Sequence, residues 1–344
     1  MSDLAAPVRH QDRSTGLILV GVLEIVLGLA CLLMLAFMGI TAVSVGRLPE
    51  GQAAGLNARV MIPYCAFYLL FALFFATVGV GTLRGRRWAR TIMLIVSWSW
   101  LISGVFGTIL MFFILPKMTG AISATAGGGA AADASVGMVV MGCVAVVMGL
   151  LYIVLPGVLL LFYRGPNVKA TFEAKDPGIP WTDRVPAPVL ALTLLFGIGA
   201  VGAVSWALFG VLPIFGYVVT GLPAILGFLG LGAISALLAW AVYQRRPAAW
   251  WGVVAWSVLG GVNAFFFFRQ GEAGMRRMYE AMGTPAAQLE QIEKMGVYDL
   301  WSHPVVLALI AVGWLGWLGF LIWSKRFFTA TAIVYTGQTR NEAP

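Results

Sequence analysis

Eight long runs of apolar residues punctuate the chain, each bounded by polar or turn-forming residues. They cover about 16–45, 58–83, 91–115, 137–163, 188–211, 217–243, 250–268 and 304–323. A helix needs roughly 20 apolar residues to cross the hydrocarbon core of a bilayer, and every run is close to that length or longer. A membrane-spanning strand would instead alternate apolar and polar residues with a period of two. These runs are continuous. The pattern therefore predicts an all-α polytopic membrane bundle of eight transmembrane helices.

The polar connections organise the eight runs. The second and third join through Arg84-Gly-Arg-Arg-Trp-Ala-Arg90, and the sixth and seventh through Gln244-Arg-Arg-Pro-Ala-Ala-Trp250. Both turns are short, basic and carry Trp. They divide the chain into a first four-helix unit, 1–163, a cytoplasmic linker, 164–187, and a second four-helix unit, 188–344. Val96-Ser-Trp-Ser99 also matches Val254-Ala-Trp-Ser257 at a spacing of 158 residues. Four helices per half bring both halves back to the same side, so the pattern predicts a parallel 4+4 internal repeat.

Charge sets the orientation. With both termini on the side of the basic turns, fifteen of the 22 Lys and Arg lie on that side and seven opposite. The acidic residues divide six and seven, leaving Glu24 alone within the membrane. Basic loops mark the cytoplasmic face, which predicts an N-in, C-in protein of the inner (plasma) membrane. The net charge of +8 thus follows from topology, and no basic domain exists to bind nucleic acid. Hydrophobic residues make up 60% of the chain, charged residues 10%, and mean hydropathy is +0.91. A soluble domain carries about 25% charged residues, so that class is excluded. Residues 1–15 are polar, and the run from Leu17 to Val45 is too long for the core of a cleavable signal. It predicts a retained first helix.

Turn residues mark further features. Pro116 is expected to end the third helix, before a flexible Gly/Ala-rich loop, 117–135, centred on Gly127-Gly-Gly129. Pro213 marks a tight turn, and Pro223 a bend near the start of the sixth helix. The loop 269–303 is the one sizeable hydrophilic segment. In it Met275, Met278, Tyr279 and Met282 follow helical spacing. Thr284-Pro285 reads as a helix start, Leu289, Ile292 and Met295 share a face, and Gly296 reads as a stop. Two short amphipathic helices are predicted, forming an extracytoplasmic cap.

Few residues carry chemistry. Glu24, inside the first run, costs several kcal/mol as a carboxylate unless it faces the bundle or a water-filled cavity. It reads as a proton, cation or substrate site, as a hydrogen bond to a neighbouring helix, or as a group near enough the inner interface to reach water. Its repeat equivalent falls near Phe196. Asn263 reads as interhelical glue, and His303-Pro304 as a helix entrance. Ser99, Ser103 and Gly107, and likewise Gly313, Gly316 and Gly319, read as small-residue packing stripes. Arg84, Arg86, Arg87, Arg90, Arg245 and Arg246 read either as ligands of anionic lipid headgroups or as topology determinants. Cys31, Cys65 and Cys143 lie in apolar runs as packing residues. Two distant histidines and three scattered cysteines make no metal site, and no cofactor is expected. A serine nucleophile would need a base beside it, and the usual intramembrane catalytic pairs are missing from the sequence. The chain reads as no enzyme.

The string Arg86-Arg87-Trp88-Ala89-Arg90 resembles an inter-helix turn of uncharacterised bacterial multi-pass membrane proteins. In them a later helix ends in an R-P-x-V-K-x-x-F-like string, here Arg164-Gly-Pro-Asn-Val-Lys-Ala-Thr-Phe172 with Gly165 added. The resemblance covers about 58–172, and the second turn departs from it with Pro247 in place of Trp. It implies a bacterial membrane location and no particular activity. Two functions fit the chain. One is a non-enzymatic accessory or scaffold component that meets membrane lipids and other membrane proteins through helix faces or residues 269–303. The other is a small-solute or lipid transporter with a site at the repeat interface involving Glu24.

Overall fold

The structure, a computed structural model, describes residues 11–45, 58–125, 139, 142–294 and 303–329. Among them, eight helices are long and apolar enough to cross a membrane. They are α1 (Ser14–Val45), α2 (Ala58–Leu83), α3 (Arg87–Thr125), α4 (Gly142–Arg164), α6 (Ala187–Ala207), α7 (Leu222–Tyr243), α8 (Pro247–Arg269) and α11 (Pro304–Ser324). The shorter helices are α5 (Pro166–Lys175), α9 (Gly271–Ala281) and α10 (Ala286–Lys294), with a final turn at Arg326–Thr329. Large apolar side chains cover the outer surfaces: Leu19, Leu161, Ile198 and Ile322 are each more than 60% exposed. Lipid is as apolar as these side chains. The chain is a multi-pass membrane protein.

Its packing divides into two compact units, residues 1–35, 68–108 and 146–184, and residues 36–67, 109–145 and 185–344. In the first unit, glycines let α1 and α2 touch backbone to backbone. A Cβ on Gly21 would lie 3.0 Å from the Gly79 carbonyl oxygen, and one on Gly79 would lie 2.9 Å from that of Gly21. On α4 a π-helical turn, Leu150–Val154, precedes Pro156. Proline has no N–H to offer the carbonyl four residues back, here that of Tyr152. That oxygen lies against Gly104 of α3, where a Cβ would come within 1.9 Å of it.

The buried row of α3 is Ala89, Met93, Ser97 and Gly104, at helical spacing. Ser99, Ser103 and Gly107 are exposed, so the expected packing stripe is corrected. Ser99 lies two residues, or about 200° around the helix, from Ser97. Helix α3 also runs through Pro116 to Thr125. The expected stop does not occur, as membrane helices tolerate proline where the freed backbone groups are re-satisfied. Gly127–Gly129 lie outside the described residues.

Residues 164–184 of the linker belong to the first unit. Val168, Thr171 and Phe172 are buried, and the Thr171 hydroxyl oxygen accepts a hydrogen bond from the Arg13 backbone N–H at 3.1 Å. Asp176 accepts from the backbone N–H of Arg87 at 3.2 Å and so caps α3 from a distant point in the sequence.

In the second unit the structure adds a feature absent from the all-helical reading. Between α6 and α7 lie two antiparallel strands, β1 (Val211–Ile214) and β2 (Tyr217–Thr220), paired from Val211↔Thr220 to Ile214↔Tyr217. Their two-residue loop, Phe215-Gly216, has φ of +45° and +84°, as a type I′ hairpin turn requires. Because the strands take residues 211–220, α7 starts at Leu222. Pro223 then sits in its first turn, where proline fits, and the predicted bend is absent.

The loop after α8 holds the two expected short helices. Helix α9 ends in a Schellman motif, with the Gly283 N–H bonding the Glu280 carbonyl and the Thr284 N–H bonding that of Tyr279. Arg276 pairs with Glu280 at 3.0 Å and with Glu293 of α10 at 3.5 Å. Met275 and Leu289 face inward. Met295 and Gly296 lie outside the described residues. His303 accepts a hydrogen bond at Nδ1 from the Val305 N–H and caps α11. On α11, Gly316 and Gly319 meet nothing within 4 Å of a would-be Cβ, so these two members of the expected stripe do not pack, while Gly313 is half-buried. The close contact is Gly261 of α8 against the Trp314 ring, at 3.0 Å.

Candidate functional site

Glu24 lies on α1 one turn beyond the Gly21–Gly79 contact and is completely buried. Its Oε1 accepts a hydrogen bond from the Tyr163 hydroxyl of α4 at 2.6 Å. Tyr163 has one proton to donate. The 2.8 Å contact between its oxygen and Thr82 Oγ1 of α2 is therefore donated by Thr82. A relay of hydroxyls thus runs from α2 through α4 to a carboxyl on α1. Among the described residues Glu24 Oε2 has no hydrogen-bond partner. The Tyr163 ring is also fully buried and packs against Phe172 at 6.2 Å between centroids. Arg90 of α3 donates through Nε to the Tyr163 carbonyl at 3.0 Å. Four helices of the first unit and α5 are thereby tied at one place.

Asn263 serves a different purpose from the interhelical glue expected of it. Its Oδ1 accepts from the Phe215 N–H at 2.5 Å, and its Nδ2 donates to the Pro213 carbonyl at 3.4 Å. It clamps the hairpin at the residue whose positive φ is costly for a non-glycine side chain. Gln270 Nε2 donates to the Gly216 carbonyl and reinforces the same loop. Asn263→Ala is expected to speed hydrogen–deuterium exchange at the Phe215 amide by at least about tenfold, since that N–H then loses its acceptor. Unchanged exchange would show that the clamp is not formed.

The six turn arginines separate by use. Arg87 pairs with Asp183 at 2.8 Å, and Arg90 is held by the Tyr163 carbonyl. Arg86 lies 3.6 Å from Asp176 with its side chain 56% exposed. Arg84 is exposed. In the second turn, Arg245 donates to the Phe327 carbonyl at 3.2 Å, and the Arg246 guanidinium stacks on the Trp240 ring at 4.5 Å. Both turns are Schellman motifs. Gly85 N–H bonds Thr82 O and Arg86 N–H bonds Gly81 O, while Arg245 N–H bonds Val242 O and Arg246 N–H bonds Ala241 O. Gly85 and Arg245 both take positive φ.

Tyr163 and Thr82 were not singled out from the sequence. The available signal was indirect: a lone membrane carboxylate needs a donor, and a Tyr ends the fourth apolar run. Together these features define a helical multi-pass membrane protein in which buried Glu24, Tyr163 and Thr82 bond helix to helix. No protein-family model, curated protein or solved structure matches the chain.

Proposed function

We propose that this protein is a non-enzymatic accessory or scaffold component of a bacterial inner-membrane assembly. The observation that carries the proposal is the state of Glu24. The carboxylate is sealed from solvent and bound by Tyr163, a partner from its own four helices. A transport site would place it on a path at the interface of the repeats. In this reading the termini are cytoplasmic, and the α9–α10 cap offers an extracytoplasmic contact surface for a partner.

The parallel repeat belongs to the same reading. The turn hydrogen bonds recur at an offset of 160 residues. At that offset buried Ala72, Phe75, Gly79 and Thr82 match Gly232, Ser235, Ala239 and Val242, and Ala89, Met93 and Ser97 match Ala249, Val253 and Ser257. Ser257 then corresponds to Ser97, two residues from the register read from the sequence strings. Thr82 corresponds to apolar Val242. The polar relay is thus a specialisation of the first half. A photo-crosslinking residue at exposed Ala273 of α9 tests the contact surface. One discrete cross-linked membrane protein is expected, and cross-links to the same chain alone would refute a heterologous partner there.

A further inference from the structure

A cleft of about 480 Å³ opens beside the first basic turn. Ala76, Val80 and Gly81 of α2 line it, with Arg84 and Arg86 at its end and Trp88 of α3 along its side. A Cβ on Gly81 would sit 2.8 Å from the Trp88 ring, so the glycine lets the indole lie flat as a wall. Ala76 and Val80 belong to the membrane span Met61–Leu83, while both arginines lie just beyond it. The cleft therefore changes along its length from apolar to cationic at the membrane boundary. Trp is suited to this level of a bilayer.

The second turn shows what the same backbone looks like when closed. At the 160-residue offset, Trp240 stands where Val80 does, and its ring carries the Arg246 guanidinium at 4.5 Å. Gly81 is replaced by Ala241, and Arg84 by Gln244. The chain thus fills that place with its own aromatic ring. A topology signal needs only the positive charges, which both turns have. In the first turn Arg84, where the second has Gln244, lines the open volume.

We propose that this cleft holds one anionic phospholipid, its phosphate against Arg84 and Arg86 and an acyl chain along Ala76 and Val80 beside Trp88. Arg87 and Arg90 take no part, because Asp183 at 2.8 Å and the Tyr163 carbonyl at 3.0 Å hold them, whereas Arg86 meets Asp176 only at 3.6 Å and keeps its side chain 56% exposed. The proposal depends on the membrane placement of α2 and α3 and is independent of the scaffold reading.

Native mass spectrometry of the full-length protein in detergent tests it, with separate titrations of phosphatidylglycerol, phosphatidylcholine and inorganic phosphate. One phosphatidylglycerol should bind ahead of all others. Each arginine near a headgroup is worth about fivefold, so Arg84→Gln with Arg86→Gln should weaken that first event about 25-fold. Val80→Trp, which keeps every charge and copies the closed turn, should also abolish the preference over phosphatidylcholine. Arg246→Gln should leave it intact. Equal binding of the two lipids, or a first event unaffected by the arginine pair, would overturn the proposal. Inorganic phosphate displacing phosphatidylglycerol at comparable concentration would also overturn it, by showing a site for free anions. The arginine pair is on the surface, so its result does not depend on whether the Val80 variant folds.

Discussion

Tyr163→Ala is expected to destabilise the purified protein by about 3–5 kcal/mol, the usual cost of deleting a buried aromatic ring. The ring fills space against Phe172, and its hydroxyl joins Thr82 to Glu24. Tyr163→Phe separates the two contributions. It keeps the packing but strips the donor from Glu24, at a cost of about 1–2 kcal/mol. Removing both partners leaves neither group orphaned and can be nearly neutral. The double variant Glu24→Leu, Tyr163→Phe should therefore lose less than the sum of its single variants. Glu24→Gln should express and fold normally. Glutamine keeps an acceptor oxygen for Tyr163, and its amide replaces an oxygen that has no partner among the described residues. Thermal unfolding in detergent reads all five variants, Glu24→Leu alone included. Strictly additive losses would mean that the Glu24–Tyr163 bond does not form.

Gly104→Val is expected to lower stability by about 3 kcal/mol or more and to deplete folded protein in the membrane. Overpacking a filled site usually costs about 1–3 kcal/mol. Here the obstruction is the Tyr152 carbonyl, a backbone group fixed by the π-turn before Pro156, and not a side chain that can rotate away. Gly107, three residues on, has nothing within 4 Å. Gly107→Ala should be neutral or slightly stabilising, since Ala favours a helix over Gly by up to about 1 kcal/mol. If both glycines tolerate substitution equally, α3 and α4 do not approach as described.

The helices were legible because lipid imposes a simple rule: every spanning backbone must bond to itself along a continuous apolar run. Their ends were less so. The cap of α3 is Asp176, some ninety residues further along the chain, so no local signal marks Arg87 as the helix start. The hairpin was hidden for a different reason. Val211–Thr220 is as apolar as the helices beside it, and hydropathy does not separate a buried strand from a short piece of helix. Only the positive φ at Phe215 and Gly216, and the clamp from Asn263, distinguish it. Glu24 was visible as an anomaly, but its donor was not, because partner choice depends on how α1, α2 and α4 come together. The cleft beside Arg84 was similarly out of reach. It depends on how the Trp88 ring of α3 lies against Gly81 of α2.

The reading of this protein as a component of a larger membrane assembly is tested most directly by purifying the full chain from its native membrane in mild detergent and determining what accompanies it. A second membrane protein in fixed stoichiometry is predicted, retained through gel filtration and unaffected by Glu24→Gln. A homogeneous single-chain species carrying a bound solute that is lost in the Glu24→Gln variant would contradict it.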